Sequence, residues 1–331
     1  MSDVASVAGV SLMTVSRVIS DHPRVLPQTR EKVLSAIEAL QFKPNRAARA
    51  LATKKGMTFA LLVDTRSRAA CGELLAGAQD ECDRHHAELL TIWTADPASD
   101  VASLAHSAPD GVILHYPREP DPAAYAPLHE ARIPAVAVGA RMQGGWITSI
   151  PAEEAQAGQA LAAHLLAQGH RRFLFIRSAG QPWESDERER GFLAAVAAWA
   201  EPCRTTGTER LGFLTALDPV ARILDGAERP SAVVGATDFL AAAASVAAVK
   251  LGLRIPDDVS ICGFGDDFAG MDFWPELTTT QPPARQFGQA AILRLLALVQ
   301  PGGEGPVDRT PPPSLAHRLM IRRSTGASGG V

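Results

Sequence analysis

The chain contains 331 residues, of which 46% are hydrophobic and 21% charged, and its formal net charge is −4. This is the composition of a globular protein with room for two or three compact units, which excludes a chain that is disordered throughout. No apolar run approaches the roughly 18 residues of a membrane-spanning helix, and Met1 is not followed by the basic start and apolar stretch of a secretory signal, so we expect a cytoplasmic protein.

The first forty residues show the pattern of three short helices separated by turns. Apolar residues at helical spacing begin at Val4, and a turn at Gly9 precedes Ser11, a residue type that favours the position before a helix. We expect the second helix to run through Ile19 and a third to include 33–40. Two helices joined by a tight glycine turn and braced by a third are typical of a helix-turn-helix unit that binds DNA.

A linker follows Pro44. Residues 45–53 are mostly good helix formers, but isolated helices of about 12 to 15 residues are already marginal in water, so this shorter segment is expected to be a conditional helix. Gly56 ends the linker. The continuous apolar run from Thr58 to Val63 is typical of a strand that is buried on both faces.

From Thr58 onward, apolar strands alternate with helices. The further predicted strands are Glu88 to Trp93, Gly111 to His115, Ala135 to Val138, Arg172 to Ile176, Ala232 to Gly235 and Ser260 to Phe264. The predicted helices include Gly72 to Arg84, Glu153 to Ala167, Arg188 to Trp199 and Phe239 to Leu251. This alternation predicts doubly wound parallel sheets, and its length predicts two lobes. Ser324 to Val331 are expected to be frayed.

Positive charge is concentrated in residues 1–56, where nine Lys and Arg against four Asp and Glu give +5. Since the whole chain carries −4, the remainder carries −4 minus 5, or −9. A basic unit on an acidic body is expected when one part of a protein contacts phosphates and the other does not.

The four cysteines, Cys71, Cys82, Cys203 and Cys262, show neither Cys-x-x-Cys nor Cys/His ligand spacing. We therefore expect reduced, mostly buried thiols, and the sequence predicts no metal site and no cofactor.

Motifs along nearly the whole chain resemble the LacI (lactose repressor) family of transcriptional regulators. In the N-terminal part they are Asp3-Val-Ala-x-x-Ala-Gly-Val-Ser11, Thr14-Val-Ser-Arg17, Thr29-Arg-Glu-Lys-Val33, Phe42-Lys-Pro-Asn45 and Ala48-Arg49-x-Leu51. In the body they are Gly169-His-Arg-Arg172, Arg188-x-x-Gly-Phe192, Thr237-Asp238, the stretch from Leu251 to Ser260, Gly263-Phe264, Leu277-Thr-Thr279 and Arg322-x-Ser-Thr325.

The resemblance implies an α/β fold in which an all-α helix-turn-helix headpiece over 1–43 and a hinge over 44–56 precede an effector-binding and dimerisation domain over 57–325. This domain is expected to be similar to periplasmic binding proteins, whose two lobes of parallel doubly wound sheets close around a ligand. Lobe one is expected to take about 57–150 and 283–310, and lobe two about 151–282 and 314–325. Residues 326–331 are expected to form a disordered tail.

The resemblance also assigns roles in the recognition helix. Leu12, Met13 and Arg17 are expected to contact base edges, and Thr14 and Ser16 to hold the DNA backbone. The guanidinium of Arg17 suits a bidentate contact to guanine, whereas Leu12 and Met13 suit the methyl group of thymine.

In the hinge, the resemblance implies a segment that folds on the operator. Its expected DNA contacts are Asn45, Arg46, Ala48 and Leu51, of which Leu51 would insert into the minor groove and kink the duplex.

In the body, Arg188 and Asp238 are the expected effector contacts by resemblance, because a guanidinium and a carboxylate suit hydroxyl-rich ligands. The alternative is that each is engaged in a pair on the protein surface. The other candidates are Ser67 and Arg68 after the first strand, Phe213, which would stack on the ligand, and Asp266.

The sequence departs from the family pattern at this site. The usual Ser-Asn-Pro-Phe-Phe stretch is replaced by Ser67-Arg-Ala-Ala-Cys71, which removes aromatic residues, while Arg66 and Arg68 add positive charge. An anionic effector, such as a sugar acid or sugar phosphate, is one interpretation, and solvent-facing arginines are the other. Thr237 replaces the usual Asn and Gly265 the usual Asp, which puts the family's sugar contacts in doubt.

The sequence thus predicts a DNA-binding regulator that binds a pseudo-palindromic operator as a homodimer or tetramer. Repression is the expected outcome, and activation or dual control, which would use the same parts, is the alternative. A small carbohydrate-derived metabolite would change its operator affinity. Two rival classes are a sugar-binding transport protein, which has no use for a basic headpiece, and an α/β enzyme. The enzyme is disfavoured because the sequence has no Gly-x-Ser-x-Gly, Gly-x(4)-Gly-Lys-Ser/Thr or His-Glu-x-x-His motif.

Overall fold

The computed structural model describes residues 2–19, 25–40, 56–64, 71–95, 97–115, 122–142, 145–179, 182–199, 204–205, 211–266, 274–299 and 314–328. By their internal contacts they belong to two compact units, Met1–Gly56 and Met57–Val331. In this described part of the chain, no helix has the length and apolar character needed to span a membrane.

The first unit contains three described helices around a small apolar core: α1 (Ser2–Ala8), α2 (Leu12–Ile19) and α3 (Pro27–Ala39). Gly9 has a φ of +64°, a left-handed conformation that a Cβ atom disfavours, and here the chain turns so that Val10 N donates to Ala5 O over 3.0 Å. The buried side chains are those of Val4, Ala5, Val15, Val18, Val33 and Ala36. The predicted order of three helices and a glycine turn is confirmed.

In the second unit, five described strands form a parallel sheet in the order β2-β1-β3-β4-β5. The strands are β1 (Thr58–Asp64), β2 (Glu88–Thr94), β3 (Gly111–His115), β4 (Ala135–Gly139) and β5 (Ile147–Pro151), and the helices between them are α4 (Cys71–Arg84), α5 (Pro97–Ser107) and α6 (Ala126–Glu130). Successive side chains of a strand point to opposite faces. Phe59 and Leu61 of β1 therefore pack into the core on one face, and Ala60 and Leu62 into the core on the other.

Six described strands form the second sheet, in the order β11-β10-β9-β8-β6-β7, with every pair parallel except β10 with β11. The strands are β6 (Phe173–Ile176), β7 (Arg204–Thr205), β8 (Ala232–Gly235), β9 (Ser260–Phe264), β10 (Thr278–Gln281) and β11 (Arg318–Met320). The helices are α7 (Glu154–Ala167), α8 (Pro182–Val196), α9 (Phe213–Leu224) and α10 (Asp238–Lys250). The predicted architecture of two doubly wound, mainly parallel sheets is confirmed.

The chain crosses between the two sheets at three described places. The first crossing, 152–153, joins β5 to α7, and the second, 282–283, joins β10 to α11 (Ala284–Val299), which packs on the first sheet. The third crossing, 314–317, leads into β11. Backbone hydrogen bonds of 3.0 Å join the first and third crossings, from Leu315 N to Pro151 O and from Glu153 N to Leu315 O.

The expectation that the chain is frayed from Ser324 onward is wrong for residues 324–328. Ser324 is only 1% exposed, and its hydroxyl accepts from Thr278 N over 2.8 Å and donates to Ile261 O. Ser328 N donates to Gln168 O over 2.8 Å. The expected disordered tail, 326–331, therefore starts too early, because the polar groups of these residues have partners in the fold.

Candidate functional site

Helix α2 presents an exposed face next to a capped N-terminus. Ser11 Oγ accepts from Thr14 N over 3.1 Å, which satisfies one of the backbone donors that the start of a helix leaves without an intrahelical partner. Met13 is 64% exposed and Arg17 is exposed, whereas the opposite side of the helix is buried in the core. Four residues apart, Met13 and Arg17 lie on the same face. A recognition helix needs such an accessible face.

The remaining predicted DNA contacts are placed only in part. Thr14 is half-buried, and its hydroxyl oxygen lies 2.9 Å from that of Ser11, so this hydroxyl takes part in the cap. Outside the described residues lie the side chains of Leu12 and Ser16 and the hinge residues Asn45, Arg46, Ala48 and Leu51. Their roles stay predictions.

Arg188 is buried on α8, beside the carboxyl-terminal edge of the second sheet. It is 4% exposed, its Nε donates to Glu154 Oε2 over 2.6 Å, and its Nη1 donates to Ala236 O, just after β8, over 2.8 Å. Its guanidinium carbon lies 5.2 Å from the ring centre of Phe264 at the end of β9. Arg188 is therefore engaged in a buried ion pair at the edge where an effector was expected.

Glu154, the first residue of α7, is the carboxylate of this pair. It is 1% exposed, and His317 Nε2 lies 3.4 Å from the same Oε2 atom. Burial alone raises the pKa of a carboxyl group, but the positive charge of Arg188 and the contact with His317 outweigh it and lower the pKa of Glu154 to about 2. Glu154 is thus ionised at neutral pH.

Asp238, the first residue of α10, is also buried, at 1% exposed. The hydroxyl of Thr279 donates to its Oδ1 over 2.7 Å. Gly263 makes room for this carboxylate, because a Cβ at that position would collide with Oδ1. Asp238 therefore links the start of α10 to β9 and β10.

Asp266 follows β9, and its carboxylate accepts from Arg322 Nη2 over 2.6 Å and from Gln281 Nε2 over 2.8 Å. Phe213 is the first residue of α9 and packs, partly buried, against the core of the second sheet. Ser67 and Arg68, together with Arg66, lie outside the described residues.

The structure thus brings Arg188, Asp238 and Asp266 to one edge, where β8 and β9 end. Ligands of open parallel sheets bind at this edge. Glu154 and His317 are not predictable from the sequence, because nothing in it connects a helix-starting carboxylate with a histidine so far along the chain. In the described part of the chain, no cluster of three or more His, Cys, Asp or Glu is arranged to hold a metal ion.

Each of the two units is similar to a known protein family. The family of bacterial regulatory proteins of the lacI type matches residues 1–45, and the periplasmic binding protein-like domain matches residues 162–325. Catabolite control protein A of Priestia megaterium is 27% identical over 331 residues, covering 98% of each chain. The transcriptional regulator CelR in complex with cellobiose has a TM-score of 0.69 at 26% identity, covering 97% of this chain and 98% of its own. The lac repressor dimer bound to operator and the anti-inducer ONPF has a TM-score of 0.68 at 25% identity, covering 98% of each chain.

A helix-turn-helix unit followed by a periplasmic-binding-type body defines the class of DNA-binding regulators that sense small ligands. The chain is a transcriptional regulator with a LacI-family helix-turn-helix domain and a periplasmic-binding-like domain, and its relatives are LacI-family regulators. The predicted class is confirmed, and the named members of the family are regulators rather than enzymes.

Proposed function

We propose that this regulator is a cytoplasmic repressor that binds a pseudo-palindromic operator as a homodimer and changes its operator affinity when a carbohydrate-derived effector binds. The observation that carries the DNA-binding role is the exposed face of α2, with Met13 and Arg17 side by side above a buried core. Two copies of this helix reach successive major grooves only in a dimer, and the lac repressor structure similar to this chain is a dimer on its operator.

The effector is proposed to bind at the edge where β8 and β9 end. Arg188 and Asp238 lie there, and their charged groups suit a ligand rich in hydroxyls. The similar CelR structure holds cellobiose, which supports a carbohydrate-derived ligand. We propose no catalytic residue.

The DNA-binding role is tested by selecting bound fragments from random and genomic DNA with the full chain. A short palindromic consensus is expected. Arg17→Ala should relax the consensus at one base position of each half-site, because a bidentate guanine contact contributes roughly 1 to 3 kcal/mol of discrimination. Lys32→Ala, which removes an exposed charge from α3, is the matched control and should keep it. Sequence-blind binding by the unmodified protein would overturn the operator proposal.

The effector proposal is tested by the thermal shift of the full chain with cellobiose, ribose, glucuronate and glucose 6-phosphate. A ligand that stabilises the protein should do so much less in Arg188→Lys, which keeps the charge opposite Glu154 but loses the planar fork. Equal stabilisation of Arg188→Lys would remove Arg188 from the site.

A further inference from the structure

The start of α7 contacts the third crossing through two consecutive carboxylates. Glu153 Oε1 accepts from the hydroxyl of Ser314 over 2.8 Å, and Glu154 Oε2 lies 3.4 Å from His317 Nε2. The backbone hydrogen bonds between Leu315 and residues 151 and 153 lie between these two side-chain contacts. The first and third crossings are therefore joined along their whole described length.

His317 also faces the strand that leads into the second crossing. Its Nδ1 lies 3.3 Å from the hydroxyl oxygen of Thr280 in β10, and its side chain is 1% exposed. One buried imidazole thus lies between Glu154, which directly follows the first crossing, and β10, which leads into the second crossing. His317 therefore contacts elements next to both the first and the second crossing.

A single oxygen atom, Glu154 Oε2, joins His317 to Arg188. Glu154 Oε2 accepts from Arg188 Nε over 2.6 Å and is the same atom that His317 approaches. Arg188 in turn contacts Ala236 O and the ring of Phe264 at the ends of β8 and β9. A ligand that bound the guanidinium of Arg188 would therefore also change the hydrogen bonding of Glu154.

The hydrogen bonding of Glu154 and His317 is incomplete. Among the described atoms, none donates a hydrogen bond to the buried Glu154 Oε1, and His317 Nε2 makes no hydrogen bond. Its distance of 3.4 Å to Glu154 exceeds the usual 2.7 to 3.2 Å or so. Buried polar atoms without partners cost free energy, so an arrangement that supplied the missing bond would gain that free energy. Coupling between sites requires such an element with two arrangements.

We propose that Glu154 is a positioning residue of the effector site, which holds Arg188 in place and links it through His317 to the crossings between the two sheets. The proposal rests on the proposed role of Arg188 as an effector contact. Effector binding at Arg188 would redistribute the contacts of Glu154, and the crossings would respond because His317 shares the same carboxylate oxygen.

Hydrogen exchange of the full chain tests the link without any effector or operator. Glu154→Gln and His317→Gln should each speed exchange at the amides of Glu153 and Leu315 about tenfold, because both variants release the joined crossings. The double variant should exchange no faster than Glu154→Gln, since the two side chains act through one contact. Glu154→Asp, which keeps the charge, should restore most of the protection.

Glu189→Gln is the matched control. Glu189 is 4% exposed and accepts from Arg177 Nε over 2.8 Å, and Glu189 Oε1 also has no described hydrogen-bond partner. This pair joins α8 to the end of β6 instead of joining two crossings. Glu189→Gln should leave the rates of amide hydrogen exchange at Glu153 and Leu315 within about twofold of those in the unmodified protein.

The outcomes separate this proposal from the proposed function. Unchanged exchange at the crossings in Glu154→Gln, an equal effect in Glu189→Gln, or additive effects of Glu154→Gln and His317→Gln would each overturn the link. If the link holds and an operator has been selected, ligand-free Glu154→Gln should bind it with an affinity changed about tenfold, and Glu189→Gln should not. Failure to select any operator would overturn the operator proposal and leave the exchange result to decide the link.

Discussion

His170, at the end of the loop after α7, is a buried imidazole with a contact at each ring nitrogen. It is 1% exposed; Nε2 lies 3.0 Å from Gly326 O and Nδ1 lies 3.0 Å from Ser231 Oγ. A carbonyl oxygen only accepts, so Nε2 donates and, in the neutral ring, Nδ1 accepts. Burial lowers the pKa of His170, although the bond to Gly326 opposes this shift. The site therefore suits the neutral ring.

A pH dependence follows from the lowered pKa of His170. Its contribution to stability is complete above the ordinary histidine pKa of about 6.5 and is lost as pH falls through the lowered value in the folded state. His170→Gln should flatten the loss of unfolding free energy below about pH 6.5, as measured by urea unfolding at a series of pH values. His164, whose pKa is also lowered by burial, should account for part of the remaining slope.

The control for this experiment is His106→Gln, the same substitution at an exposed histidine of α5. A slope in His170→Gln identical to that of the unmodified protein would show that His170 gains no proton on unfolding in this range.

At the scale of single residues, the sequence predicts some of the site residues but not their partners. The resemblance to the family predicts Arg188 and Asp238 as effector contacts, and the structure brings both to the edge where β8 and β9 end. The resemblance does not predict their partners, because Glu154 and Thr279 are brought to them only by the packing of separate elements. The effector roles of Arg188 and Asp238 stay predictions.

At the scale of elements, continuous apolar runs were the reliable signal, and polar strands were missed. β10 reads Thr-Thr-Thr-Gln, yet Thr278, Thr279 and Thr280 are fully buried. Each hydroxyl has a partner: Arg322 O, Asp238 and His317, respectively. A buried strand whose polar groups are satisfied by distant residues gives no hydrophobic pattern.

Helix α8 starts earlier than the sequence predicts, for a related reason. The helix begins at Pro182 and not at Arg188, and its first turns read Pro-Trp-Glu-Ser-Asp-Glu. Proline suits the first position of a helix, where no amide hydrogen is needed, but acidic and polar first turns carry little hydrophobic periodicity. The period-based prediction therefore began only where the motif around Arg188 began.

Gly9, between α1 and α2, offers a test of the turn in the helix-turn-helix unit. Its φ is +64°, and a Cβ there would meet no atom within 4 Å, so Gly9→Ala adds backbone strain without a clash. This strain should cost about 1 kcal/mol and speed hydrogen exchange in α1 to α3 of the full chain about fivefold. Operator affinity should fall in parallel.

Gly72→Ala is the control for the glycine test. Gly72 lies inside α4, also with no atom within 4 Å of an added Cβ, and it has no positive φ. Alanine should therefore be neutral there or stabilise by up to about 1 kcal/mol. If Gly9→Ala were equally harmless, the left-handed turn would not limit the stability of the first unit.

At the scale of the whole molecule, the alternation of strands and helices and the division of charge were both visible in the sequence. The alternation predicted two parallel sheets, which the structure confirms. The alternation alone does not predict that the chain returns to the first sheet with α11 and to the second with β11, because these late elements are separated in sequence from the sheets they join. The resemblance to the LacI family implied both returns, through the expected lobe boundaries at 283 and 314. The three crossings follow from those returns.

The charge division predicts that DNA binding and folding respond differently to salt. Residues 1–56 carry +5 and the remainder −9, so phosphate contacts fall to the first unit although the chain as a whole is acidic. Each phosphate neutralised should add about −0.9 to the slope of log affinity against log salt, so about six contacts should lower operator affinity at least about a thousandfold between roughly 50 and 200 mM.

The melting temperature of Met57–Val331 within the full chain should hardly change over the same salt range. The Glu154–Arg188 pair is buried and therefore screened little, and exposed ion pairs contribute little to stability. Fluorescence anisotropy on the selected operator and calorimetry over the same salt series measure both quantities. A flat affinity would contradict phosphate binding by the basic unit, and a parallel loss of melting temperature would mean that salt acts on the fold and not on the interface.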